Sequence, residues 1–162
     1  MAVHQSEGPD GPGRGTVRPV AEHELPELVR MDHRLFPEMP YPYFVLRQLY
    51  ELYRDRLLVV ERGGELGGYV LFATTPDGER SWVLALGVVP GARGLGHGRS
   101  LMAVGLDRLA ADGVHEVMIT VAPGNRPALG LYESLGFVQV DHRADYFGAG
   151  GDRLILRLPL HG

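Results

Sequence analysis

Two stretches of this sequence hold residue types at spacings that suit chemistry. The first runs Val88-Val89-Pro90-Gly91-Ala92-Arg93-Gly94-Leu95-Gly96-His97-Gly98-Arg99-Ser100. An apolar run ends, glycines follow, and a helical pattern begins. Glycine lets the backbone turn with positive φ and approach a ligand closely. The first N–H groups of a helix lack internal partners and, with the helix dipole, make an anion site. Arg93, His97 and Arg99 can add charge or donors there. This chemistry fits a pyrophosphate. The Gly-Lys-Ser/Thr of a nucleoside-triphosphate loop is absent, and the dinucleotide pattern G-x-G-x-x-G fails because Arg99 stands where its third glycine belongs. By itself, the stretch fits a ligand-free glycine-rich connection equally well.

The second stretch reads Asn125-Arg126-Pro127-Ala128-Leu129-Gly130-Leu131-Tyr132-Glu133-Ser134-Leu135-Gly136-Phe137. One helix and one strand fit between the two. The pattern Arg93-x-x-Gly96-x-Gly98, followed by Asn125, Ala128, Leu131-Tyr132 and Leu135-Gly136-Phe137, resembles the GCN5-related N-acetyltransferase (GNAT) family. The likeness is specific between Leu86 and Phe137.

That resemblance implies acetyl-CoA as cofactor, with its pyrophosphate on the glycine turn. It implies cofactor contacts from Leu86, Val88, Val89, Arg93, Gly94, Leu95, Gly96, His97, Gly98, Arg99, Ser100, Asn125 and Tyr132. The strand Leu86–Val89 would splay from the strand Glu116–Val121, and the pantetheine arm would lie in the gap. A backbone N–H near Val88 would stabilise the oxyanion. Asn125 would bind the arm or brace the loop, and Tyr132 would protonate the leaving thiolate. Tyr132 also reads as a plain core aromatic.

The implied reaction moves the acetyl group to a primary amine of a small molecule or peptide by direct attack. Lysine titrates near ~10.4 and a chain N-terminus near ~7.7–8.0, so the second needs far less help to lose its proton. No base is marked out, although Glu38, His142 and Asp145 could serve. Tyr41, Tyr43 and Tyr146 are the expected acceptor wall. The nearest subgroup is RimI-like, on Leu131–Phe137, Tyr146-Phe147, the glycine turn after them, and Leu154-Ile155-Leu156. A protein N-terminal α-acetyltransferase is therefore the alternative. The chain departs from that subgroup at Thr120, where a glutamate is the rule. A third reading is a non-catalytic module that binds acyl-CoA and regulates.

The elements that must position these groups follow from periodicity and punctuation. Leu25, Leu28, Val29, Met31 and Leu35 share a face of a helix over Glu22–Phe36, and a second helix covers Tyr43–Arg54. Three prolines between Phe36 and Tyr43 break any helix there. Leu57–Glu61 and Leu66–Thr75 read as strands about Gly63-Gly64. Trp82–Val89 reads as a strand buried on both faces. A helix over Gly98–Ala111, a strand over Val114–Val121 and a short helix over Pro127–Leu135 follow, the last stopped by Gly136. Phe137–His142 and Arg153–Leu158 close the domain as strands, and Thr16–Val20 opens it. This pattern, β-α-α-β-β-β-α-β-α-β-β, predicts an α/β (α+β) domain of the GNAT type. Its single mixed, mostly antiparallel sheet has six to seven strands and about four flanking helices.

The domain is expected over residues 16–162. Met1–Gly15, rich in glycine and proline, is expected to be a disordered tail. The chain has 162 residues, 44% apolar and 22% charged, enough for one core. It has no cysteine, which excludes disulfides, thiolate metal sites and a thiol nucleophile, and fits a reducing, cytoplasmic setting. The net charge of −4 argues against nucleic acid as a partner. No apolar run reaches membrane-spanning length, no signal peptide opens the chain, and His4, His23, His33 and His161 lack ligand spacing, so neither membrane nor metal is expected. The aromatics near Tyr41 allow either a monomer or a homodimer.

Overall fold

The computed structural model describes residues 15–160. The expected tail lies outside the described residues except for Gly15. Seven strands form one sheet: β1 (Thr16–Pro19), β2 (Leu57–Arg62), β3 (Glu65–Thr74), β4 (Arg80–Val88), β5 (Glu116–Val121), β6 (Val138–Arg143) and β7 (Arg153–Pro159). Four helices flank it: α1 (Leu25–Leu35), α2 (Tyr43–Tyr53), α3 (His97–Ala111) and α4 (Arg126–Ser134). The strand order is β1-β2-β3-β4-β5-β7-β6, and β4–β5 is the one parallel pair among these strands. The expected element order and mixed sheet are both present.

Period-two alternation divides the core between the two faces of the sheet. Leu57, Val59, Tyr69 and Leu71 face α1 and α2, with Leu28 and Leu46 against them. Leu58, Val60, Val70 and Phe72 face the other way, onto Leu101, Met102 and Leu109 of α3. Burying each such leucine stabilises by about 1.5–3 kcal/mol. Gly105 sets how closely α3 can approach: a Cβ there would lie 2.1 Å from the Phe72 ring.

The expected helix at Glu22–Phe36 begins with a 3-10 turn over Glu22–Glu24, and α1 proper starts at Leu25 with Pro26 in its first turn. Arg18 ties this entry to the sheet. It donates to Glu24 Oε1 at 2.7 Å and to Glu61 Oε2 at 2.7 Å. That guanidinium lowers the Glu24 carboxyl to about 2.

Asp32 of α1 is fully buried. Its Oδ2 accepts the Tyr41 N–H at 2.7 Å and its Oδ1 accepts the Tyr69 hydroxyl. Burial together with this carboxylate pushes the Tyr69 phenol up. The carboxylate thus clamps the proline-rich segment before α2 onto α1 and β3.

One expectation fails in β4. It is not buried on both faces: Leu84 is 39% exposed, and Leu86, Gly87 and Val88 are half-buried. The reason is that β5 leaves it halfway along.

Candidate active site

β4 and β5 pair from Arg80↔Glu116 to Val83↔Ile119 and then part. β4 runs on to Val88, and β5 continues to Val121 while paired to β7 on its far side. A wedge therefore opens between two neighbouring strands. The Val89 N–H donates to the Gly67 carbonyl at 2.9 Å. Antiparallel ladders alternate, so Val88 and Leu86 turn their N–H groups away from β3 and into the wedge. Val88 accepts on its own carbonyl from Arg93 Nε at 3.1 Å, which pins the glycine turn to the strand end. Val89 is spent on β3 and lines neither cleft, contrary to expectation.

The turn after β4 uses Gly94 (φ 80°) and Gly96 (φ 78°), a region that costs other L-residues strain. Gly96 is the N-cap of α3, and no side chain covers that end. The first helical bond is Ser100 N–H to Gly96 carbonyl at 3.0 Å, leaving the amides of His97, Gly98 and Arg99 without a backbone partner. Gly98 also lets Leu131 of α4 approach, since a Cβ there would sit 3.4 Å from Leu131 Cδ2.

His97 corrects the sequence reading. Its ring is turned into the protein, 3% exposed, and packed between Gly15 and Gly67. Burial first, and Arg62 second, lower its pKa. It brings a backbone amide to the turn and no charge. Arg99 donates to Ser134 Oγ at 2.6 Å, and that hydroxyl donates to the Leu131 carbonyl at 2.6 Å, so Arg99 ties α3 to α4. Leu95 and Ser100 line neither cleft.

Two cavities meet in the wedge. The larger, about 700 Å³, is lined by Arg93, Gly94 and residues 96–99 of the turn, by Gly87 and Val88, and by α4. The smaller, about 400 Å³, lies among β4, β5, the segment after α1, and the β6–β7 connection. They share Phe36, Leu86, Asn125, Ala128 and Tyr132. Tyr132 is 6% exposed, and its ring packs 5.9 Å from Phe137. Desolvation pushes its phenol up to about 12. Asn125 caps α4, its Oδ1 accepting the Ala128 N–H at 3.3 Å, which places it as a brace and leaves its amide donors for another partner.

The smaller cavity takes some of the expected wall and not the rest. Tyr41 lines it and its hydroxyl reaches the Leu84 carbonyl at 3.5 Å, while burial raises its pKa. Tyr43 opens α2, is 47% exposed and lines neither cavity. Tyr146 also lines neither; it stands edge-on to Phe147 at 4.9 Å, and Phe147 occupies the wall instead. Phe36, Met39, Leu84, Phe147 and Arg153 were missed. For the last two a signal existed, because a hairpin about the Gly148–Gly151 turn brings Tyr146-Phe147 beside Arg153. None of Glu38, His142 and Asp145 lines either cavity; the Asp145 carboxylate accepts the Gly150 N–H at 2.9 Å within the turn. Among the described residues no Asp, Glu or His side chain lines the smaller cavity, and Thr120 does.

Residues 22–137 match the family model described as the acetyltransferase (GNAT) family. The chain belongs to this family. A mycothiol acetyltransferase from Thermomonospora curvata is 47% identical over 85 residues, 51% of this chain and 28% of that protein. The match thus spans under a third of that relative's length. An N-alpha-acetyltransferase from Sulfurisphaera tokodaii is 25% identical over 148 residues, covering 85% of this chain and 88% of that one. The crystal structure of the ribosomal-protein-S18-alanine N-acetyltransferase from Escherichia coli superposes with a TM-score of 0.78 at 22% identity, over 91% of this chain and 95% of that one, which shows the shared fold. In this GNAT chain the matched segment holds the glycine turn, Asn125 and Tyr132, and ends before the β6–β7 wall of the smaller cavity. Among the described residues no helix is long and apolar enough to cross a membrane, and no cluster of three or more His, Asp or Glu side chains could hold a metal.

Proposed function

We propose that the chain transfers the acetyl group of acetyl-CoA to a primary amine of a small molecule or peptide by direct attack. The observation that carries this is the meeting of two cavities at Tyr132, one ending on uncovered helix amides and the other apolar and separate. The residues present fit acetyl-CoA. The amides of His97, Gly98 and Arg99 suit a pyrophosphate. The free edge of β4 suits an amide-bearing arm. When bound, acetyl-CoA supplies an acetyl group activated as a thioester.

The chain's own groups take the remaining roles. The Val88 N–H, turned into the wedge, stabilises charge that grows on a carbonyl oxygen beside it. The Tyr132 hydroxyl, kept protonated by burial, donates to the departing sulfur. Leu86, Phe36 and Ala128 exclude water from the junction. The proton that the amine nitrogen gives up equals the one the sulfur takes, so no net proton source is needed.

Among the described residues no carboxylate or imidazole lines that cavity, which favours a peptide α-amine as acceptor, since it titrates near ~7.7–8.0 and sheds its proton without a strong base. The long match to the Sulfurisphaera N-alpha-acetyltransferase supports the same choice. The direct test is thermal stabilisation by acetyl-CoA together with thiol release over a panel of amines. At 100 times Kd the ligand adds about 2.7 kcal/mol to the native state. No stabilisation at millimolar ligand overturns the cofactor assignment. Stabilisation without thiol release for any amine supports a binding module instead.

A further inference from the structure

Among the described residues the smaller cavity carries one charged wall group, Arg153, and no acid. Its guanidinium lies 5.0 Å over the Phe147 ring, and Nη1 donates to the Asp152 carbonyl at 2.7 Å. These contacts orient it and leave its charge unpaired: among the described residues it forms no ion pair. Directly across the β6–β7 ladder stands Arg143. Arg143 likewise has no ion pair among the described residues and lies 5.6 Å over the Tyr146 ring. Like charges facing one another across a ladder repel. The carboxylates of Asp145 and Asp152 each accept a backbone N–H of the turn, and neither forms an ion pair with these arginines. Arg153, an unpaired cation in the cavity wall, with Arg143 beside it across the ladder and outside the lining, suits an anion that arrives with the ligand. Arginine's planar fork matches a carboxylate.

We infer that the acceptor is a primary amine that also carries a carboxylate, held by Arg153 with support from Arg143. This rests on the acetyltransferase reading of the same cleft. The apolar wall formed by Met39, Tyr41 and Phe147 takes an aliphatic or aromatic body between the two polar ends. A second ammonium would face the Arg153 cation, which disfavours polyamines. The carboxylate could belong to a free amino acid or to an acidic residue following the amine in a peptide.

Thiol release is measured with two matched pairs, leucine against leucinamide and Leu-Asp-amide against Leu-Asn-amide, in wild type, Arg153→Gln, Arg143→Gln and the double variant. Comparing ratios between variants cancels the difference in amine basicity. From wild type to Arg153→Gln the carboxylate-to-amide ratio of kcat/KM falls about tenfold in one pair, as for a lost charge-assisted bond. Arg143→Gln lowers it less, and KM for acetyl-CoA stays unchanged in both. Arg153→Lys, which keeps the charge without the fork, recovers part of the preference and controls for folding. A response in the leucine pair alone identifies the amino acid's own carboxylate; one in the peptide pair alone identifies the neighbouring residue. A carboxylate-to-amide ratio of kcat/KM that is the same in wild type and the double variant, for both pairs, overturns the inference while leaving the acetyltransferase reading standing. Absence of thiol release with every amine overturns that reading as well.

Discussion

Tyr132→Phe removes one oxygen from the point where the two cavities meet. The ring is buried, but its hydroxyl has no protein acceptor among the causes that shift it; desolvation alone raises it to about 12. Deleting the hydroxyl therefore abandons no partner, and stability should change by less than about 0.5 kcal/mol. The effect on turnover is set by what the phenol can give. A coenzyme thiol resembles cysteine, near ~8.5. Moving a proton outright from a phenol near 12 to such a thiolate runs uphill, so before ligand binding alters its surroundings Tyr132 acts chiefly as a hydrogen-bond donor to the sulfur. A bond to a charged group is worth about 1.5–3 kcal/mol, which predicts a fall in kcat of about 10- to 150-fold, below the upper reach of full general-acid catalysis. The assay pairs kcat from thiol release with Tm and with acetyl-CoA-induced stabilisation. A kcat within twofold of wild type at unchanged Tm refutes the role. A fall in kcat that tracks a fall in Tm would instead mark Tyr132 as packing.

Three further outcomes follow from named contacts. With no acid or imidazole from the described residues in the smaller cavity, log kcat/KM should rise with pH at unit slope and level at the amine's own pKa, near ~8 for a peptide α-amine; Tyr132 near 12 adds no falling limb below that. A plateau already reached near ~6.5 would reveal a base in the protein. Asp32→Ala strands the Tyr41 N–H and the Tyr69 hydroxyl, so it should cost about 2–4 kcal/mol in urea unfolding and raise KM for the amine more than for acetyl-CoA; equal effects on both would refute the clamp. Glu24 has its pKa lowered from 4.5 to about 2 in the fold, so its contribution is complete above about 4.5 and lost as pH falls towards about 2. Urea midpoints measured across that window should fall less steeply in Glu24→Gln than in wild type.

Much of the cofactor side was legible because its determinants are local. Glycines at 94 and 96 turn the chain, a helix starts, and Asn125 caps the next one three residues before Ala128. Each of these is a short-range rule. What failed depended on distant neighbours. The inward turn of His97 is decided by the space that Gly15 and Gly67 leave, 82 and 30 residues earlier in the chain. The exposure of Leu84 is decided by where β5 stops pairing, which no property of the Trp82–Val89 run encodes. On the acceptor side, tyrosines were expected in the wall, yet Phe147 holds the place beside Tyr146. Both lie in the connection between β6 and β7, outside the paired strands, where no period-two alternation dictates which of two adjacent aromatics turns inward.

The early parting of β4 from β5 makes the sheet incomplete as a mechanical object. In the sheet itself, four registered positions from Arg80 to Val83, with the Glu79 carbonyl accepting the His115 N–H, join the β1–β4 half to the β5–β7–β6 half. An amide-bearing ligand laid along the free edge of β4 would act as a short surrogate strand and close the seam. Occupancy should therefore slow hydrogen exchange at the amides of Leu86 and Val88 first. It should also stiffen the hinge between the halves, so that the protein's resistance to local opening is lent to it by its own ligand.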